Sequence, residues 1–127
     1  MEDIVYKKES DNGFDDTIVS VLKAVEKKGW TVFGIYEVHK RLAAKGFSQE
    51  PLAIIEICSA KHANKLLGIN RMVSLCMPCR INVIAAKGKT IIAAIKPTGV
   101  SAFFDGISEK DAKEIEDDLM GIIENAV

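Results

Sequence analysis

Neither sign of charge dominates this chain: 17 Lys and Arg stand against 18 Asp and Glu, for a net charge of -1. A protein so balanced offers no electrostatic footprint to a nucleic acid backbone or an anionic membrane, so neither is an expected partner. Long apolar runs are also missing. The stretch Ile91-Ile-Ala-Ala-Ile95 falls far short of the roughly 20 residues that cross a bilayer. The first ten residues alternate charged and apolar side chains, unlike the continuous apolar stretch of a secretory signal. Absent too are Gly-x-x-x-x-Gly-Lys-Ser/Thr, a Gly-x-Gly-x-x-Gly after a strand, His-Glu-x-x-His and Gly-x-Ser-x-Gly. Their absence excludes the common routes to nucleotide hydrolysis, Rossmann redox chemistry, zinc proteolysis and serine hydrolysis. Cysteine is scarce and odd in number, three in all, which argues against a disulfide framework and for reduced thiols in the cytoplasm.

What is present suits an ordinary globular protein: 127 residues, 48% of them apolar and 28% charged. That length predicts a single domain over residues 1–127, able to bury enough surface to fold without disulfides or metal. Any cofactor would therefore serve function rather than folding.

Residues 3–9 alternate as a short strand would. Phe14, Ile18, Val21, Leu22 and Val25 follow at helical spacing, with Asp15 and Asp16 at the start, Lys27 and Lys28 at the end, and Gly29 as a stop. Residues 30–38, rich in aromatic and β-branched side chains, predict a strand, and 39–45 a short helix. Leu52–Cys58 is almost wholly apolar, as a central strand is. Ser59 opens a short helix closed by Gly68, and the apolar runs 80–87 and 90–96 form a hairpin across Gly88. Phe103 and Phe104 are expected to anchor a loop. Ser108-Glu-Lys-Asp111 then caps a final helix whose buried stripe should be Ala112, Ile115, Leu119, Ile122, Ile123 and Ala126. Its acids, from Asp111 through Glu114, Glu116, Asp117 and Asp118, read as a solvated face.

The order β-α-β-α-β-α-β-β-α predicts an α+β fold, a two-layer sandwich on a mixed or antiparallel sheet. Three strands carry apolar side chains on both faces, so the face away from the long helices needs a cover. A homodimer packing sheet on sheet is the economical one. If Ile92 faces that partner, Ile92→Lys should weaken association.

Chemistry is most plausible at the cysteines. Cys58 ends a strand where a helix begins, so backbone N-H groups and the helix dipole could stabilise its thiolate. His62 stands one helical turn beyond it. Cys76 and Cys79 form a C-x-x-C leading into a strand. Cys58, His62, Cys76 and Cys79 could hold zinc or another thiophilic metal, or Cys79 could exchange electrons with Cys76 or Cys58 as a thiol-disulfide oxidoreductase. The bland alternative is three buried, unreactive cysteines in a structural domain. Arg80 should pair with a local acid such as Glu56, while His39 reads as a surface or capping histidine and Trp30 as a core anchor.

With these residues in view, the chain resembles the bacterial and archaeal family catalogued as domain of unknown function 302, over nearly its whole length. The resemblance rests on Ile57-Cys58, Ala63, Leu66-Leu67, Pro78-Cys79-Arg80, Gly88 and Ile95-Lys96-Pro97. It implies a small α+β domain that dimerises, and it points to Cys58 and Cys79, positions where members often place cysteine. Cys76 matches no common family position. Many members follow the first cysteine with Asn-Pro where this chain has Ser59-Ala60, and Met77 replaces the usual aliphatic residue. The resulting expectation is a homodimer binding a small molecule or a soft metal at a locus formed by Cys58, Ser59, Cys79 and Arg80.

Overall fold

The structure is a computed structural model, and it describes residues 4–127. The predicted strand start at Asp3 lies outside them. Five strands, β1 (Val5–Ser10), β2 (Thr31–Glu37), β3 (Leu52–Cys58), β4 (Cys79–Ala86) and β5 (Lys89–Ile95), form one sheet in the order β1-β5-β4-β3-β2. Every neighbouring pair is antiparallel. Four α-helices accompany it: α1 (Phe14–Lys28), α2 (Val38–Ala43), α3 (Ala60–Ile69) and α4 (Glu109–Ala126). The class and element order match expectation, and the sheet is antiparallel throughout.

Local chemistry explains the element ends. Gly29 takes the left-handed conformation (φ 83°) and donates its N-H to Glu26, so α1 stops where its basic last turn ends. The Ser59 Oγ accepts the His62 N-H at 3.4 Å and starts α3, and the Ser108 Oγ accepts the Asp111 N-H at 3.0 Å and starts α4. Between β4 and β5 the two turn residues Lys87 and Gly88 both have positive φ, which matches the twist a two-residue hairpin needs. The chain from Arg71–Cys76 winds as a 3-10 segment that the apolar spacing does not announce.

Helices α1 and α4 bury one face of the sheet. Val21, Val25, Ile122 and Ile123 meet Ile55, Ile57, Ile81, Val83 and Ile92, all fully enclosed. Each such side chain stabilises the fold by roughly 1.5–3 kcal/mol through area removed from water. All six predicted stripe positions of α4 are buried. The acidic face of that helix is not uniformly solvated, however. Glu116 is buried and accepts hydrogen bonds from the Thr98 N-H (3.1 Å) and Oγ1 (2.6 Å), tying the turn after β5 to the helix. Asp118 faces α3 and α1.

The remaining helices lie on the same side, α3 joined to α4 by Lys65–Asp111 (2.7 Å) and α2 touching α1 through the Phe14–His39 ring contact. The His39 Nδ1 also accepts the Leu52 N-H at 3.0 Å, a tie at the start of β3. The opposite sheet face carries Leu52, Ile54, Ile84, Ile91 and Ala93, which alternate with the enclosed residues and stay half-buried. Ile92 is on the helix side, fully buried. Both faces of β5 are apolar, so the strand pattern alone does not say which residue of Ile91-Ile92 points inward. A charge at Ile92 would disrupt the core, and Ile91 is the outward neighbour.

Candidate functional site

The β4–β5 ladder runs from Ala86↔Lys89 to Asn82↔Ala93 and stops there. Both strands continue beyond it, β4 back to Cys79 and β5 on to Ile95. Each keeps its outer partner: Cys79 pairs with Ile57 of β3, and Ile95 with Val5 of β1. The sheet therefore forks between β4, its central strand, and β5. A cleft of about 540 Å³ opens at this fork, walled on the helix side by α3, the 3-10 segment, the loop before α4, and α4 itself.

The walls are mainly apolar, among them Ile57, Leu66, Val73, Ile115 and Leu119, with Trp30 at the back. All the residues singled out in the sequence, Cys58, Ser59, His62, Cys76, Cys79 and Arg80, line this one space. The turn after β3 and the Met77-Pro78 corner are thus neighbours, because β3 and β4 pair through Ile57 and Cys79.

The thiols do not behave as the helix-dipole argument predicted. Burial pushes the Cys79 thiol up to about 11, helped by neighbouring Cys58 and Cys76 and only partly opposed by Arg80. Burial also raises the Cys58 thiol above its ordinary value. Both are protonated at neutral pH, and desolvation outweighs any help from the start of α3. All three cysteines are free, Cys76 exposed.

The predicted Cys58, His62, Cys76 and Cys79 metal set is not assembled. Among the described residues no three His, Cys, Asp or Glu side chains converge as metal ligands do. The His62 ring is turned elsewhere: its Nε2 lies 2.8 Å from the Asp118 Oδ2, and its plane meets Trp30 edge-on. The Lys28 Nζ stands 3.4 Å from the other oxygen of Asp118. Burial alone would raise the Asp118 carboxyl, but the His62 hydrogen bond and Lys28 outweigh it and hold the carboxyl below its ordinary value. This cluster fixes the cleft wall, joining α3 to α4 and α1.

Arg80 pairs with Glu56 at 3.5 Å, as expected for cross-strand partners in register, and Glu56 also accepts the Tyr36 hydroxyl at 2.8 Å. Two features of the site escape the sequence reading. Asn82, the one amide within the apolar run of β4, lies where the ladder ends, and its side-chain amide has no hydrogen-bond partner among the described residues. A polar residue interrupting Ile81, Val83 and Ile84 was the available signal. The second is the rim. The Asn70 Nδ2 donates to the Asp105 carbonyl at 3.1 Å, and Gly106 (φ 82°) fits against Ile69, where a Cβ would come within 2.9 Å. Around this tie Met72, Leu75 and Phe103 are exposed. Phe103 therefore anchors nothing, while Phe104 is half-buried against the cleft.

No helix among the described residues is long and apolar enough to cross a membrane. The chain is similar in structure to an uncharacterized conserved DUF302 protein from Bacillus stearothermophilus, with a TM-score of 0.92 and 26% sequence identity over 98% of each chain. No curated protein matches the sequence. The model of the domain of unknown function DUF302 matches residues 6–126, forked strands and cleft walls included, and the chain belongs to that family.

Proposed function

We propose that this chain is a binding domain that takes a small amphipathic molecule into the forked cleft. The carrying observation is the cleft itself: about 540 Å³, apolar along its walls, with Ser59, Arg80 and Asn82 as polar groups. That combination of volume and sparse polar handles is the usual form of a small-molecule site. The apolar body would lie against Leu66, Ile115 and Leu119, and the polar end near Asn82 and Arg80.

The test uses Trp30, the single tryptophan, which lines the cleft. The neutral dye N-phenyl-1-naphthylamine should bind with a Kd below about 100 μM and accept energy from Trp30. Ala63→Phe, filling the cleft from α3, should weaken that binding at least about tenfold without changing the fold. Equal binding by the variant, or none by the wild-type chain, rejects the reading.

The single domain is proposed to act as a cytoplasmic homodimer. The half-buried apolar stripe of Leu52, Ile54, Ile84 and Ile91 on the helix-free sheet face supports the dimer. Three unpaired cysteines suit a reducing compartment. Ile91→Lys should shift sedimentation towards monomer, and an unchanged profile removes the sheet face as the interface.

One observation favours a second reading, that all three thiols share the cleft. Cys79 with Cys76 or Cys58 would then pass two electrons and two protons to a disulfide substrate, forming one disulfide and releasing two thiols. The raised Cys79 and Cys58 thiols weigh against it, since thiolate is the attacking species. A reversible intramolecular disulfide at neutral pH would favour it over binding alone.

A further inference from the structure

The geometry of the fork points to the chemistry of the ligand. In a two-residue hairpin the residues flanking the turn exchange both main-chain hydrogen bonds, and every second pair repeats this. Ala86 and Lys89 flank the turn, so Ile84–Ile91 and Asn82–Ala93 are the pairs that follow. The next in the series is Arg80–Ile95, and the ladder ends before it.

Two bonds on the outer sides confirm the parity. The Ala85 N-H donates to the Pro51 carbonyl at 2.9 Å, so the odd residues of β4 address β3 and the even ones, Arg80 included, address β5. The Lys96 N-H donates to the Ile4 carbonyl at 2.7 Å, so even residues at the end of β5 address β1 and Ile95 addresses β4. Arg80 and Ile95 thus turn their N-H and C=O groups towards each other across the fork. The register between the two strands stops at Asn82–Ala93, so Arg80 and Ile95 are not a paired rung of the ladder. Both residues, and Asn82 beside them, line the cleft. Backbone polar groups at a partly enclosed, apolar site are costly when unpaired, and a ligand able to pair them gains accordingly.

We infer that the fork is a main-chain recognition site for a secondary amide. The ligand's C=O accepts from one of the two facing N-H groups, its N-H donates to a facing C=O, and its apolar substituent fills the cleft. This rests on the ligand-binding reading above and adds the ligand class. The recognition added here is by main-chain groups.

Three probes with one alkyl chain separate the ideas by displacing bound N-phenyl-1-naphthylamine: N-methyloctanamide, methyl octanoate and octanoate. The amide should displace the dye at a concentration at least about tenfold below the ester, which lacks the donor. Arg80→Pro, which removes an N-H that β3 does not use and leaves only that of Ile95 facing the fork, should reduce that preference, and an undiminished preference would exclude the Arg80 N-H as the donor. Amide hydrogen exchange gives a readout independent of that variant's folding. In the free protein the Arg80 and Ile95 amides should exchange at least about tenfold faster than Ile81, and N-methyloctanamide should protect them. Equal displacement by amide and ester, preference for octanoate, or Arg80 and Ile95 amides as protected as Ile81 without ligand would each overturn the inference while leaving the binding reading intact. A chain that takes up neither dye nor any of the three probes overturns both.

Discussion

The β4–β5 hairpin has two ends that the same sheet treats differently. At the turn end the strands are laddered, and Val83 and Ile92 face each other, fully enclosed beneath α1 and α4. At the other end the strands part, Cys79 and Asn82 are half-buried, and beside the first turns of α4 the walls come from α3, a 3-10 segment and an irregular loop. The difference lies above the sheet. Long helices present close-spaced aliphatic stripes that fill the volume over β4 and β5, whereas short and irregular segments enclose space without filling it. Close packing is concentrated at the turn end, and open volume at the fork.

The largest effect should come from truncating the turn end. Ile92→Ala leaves a sealed cavity and should cost about 2–5 kcal/mol in denaturant unfolding. Leu66→Ala, on the cleft wall, enlarges a space that already exists and should cost only about 1 kcal/mol, since no new cavity is sealed. Equal costs would mean that the fork is as well packed as the turn end, and the contrast would disappear.

Alkali should attack the fork selectively. The Cys79 thiol holds its proton up to about 11 in the folded chain, against 9.0 for an ordinary thiol. An unfolded chain ionises first, so the stabilising contribution is complete below pH 9, declines above it and is lost as pH rises through 11. Two pH units correspond to about 3 kcal/mol. Cys79→Ala should flatten that part of the stability profile. Tyr6, pushed up to about 12 by burial and its hydrogen bond to Glu124, adds a decline above pH 10 that the variant keeps. A profile unchanged by Cys79→Ala would show the thiol to be wet.

Much of the turn end was legible in the sequence, because it obeys local rules: the Phe14 to Val25 spacing, Gly29, Gly88 and the α4 stripe each fall where predicted. The Glu56–Arg80 pair was legible too, since opposite charges stood out in apolar strands. The fork was not. Residues 80–87 and 90–96 carry the same apolar character along their full length, so nothing local distinguishes a laddered stretch from a parted one. That decision is tertiary, as is the burial of Glu116, which depends on Thr98, 18 positions away. The candidate residues line one space, but their environment, an apolar and desolvated cleft, came from packing no spacing rule describes.

The smallest effect tests how the cleft wall is held. Asp118 links α4 to His62 of α3 and to Lys28 of α1, whereas the turn end is held mainly by close packing, with the buried Ser10–Thr17 hydroxyl pair joining β1 to α1. Its depressed carboxyl contributes stability above the ordinary aspartate value of 3.8 and loses it as pH falls through its lower folded value. The side chain is one-third exposed, so screening limits the tie to at most about 1 kcal/mol. Asp118→Asn should therefore barely move the unfolding midpoint at pH 7, yet it should remove the loss below pH 4. It should also speed hydrogen exchange in α3 more than in α1, because α3 is short and has no fully buried side chain of its own. Uniform change across both helices would mean that Asp118 stabilises the whole body, and that the cleft wall is no looser than the core it borders.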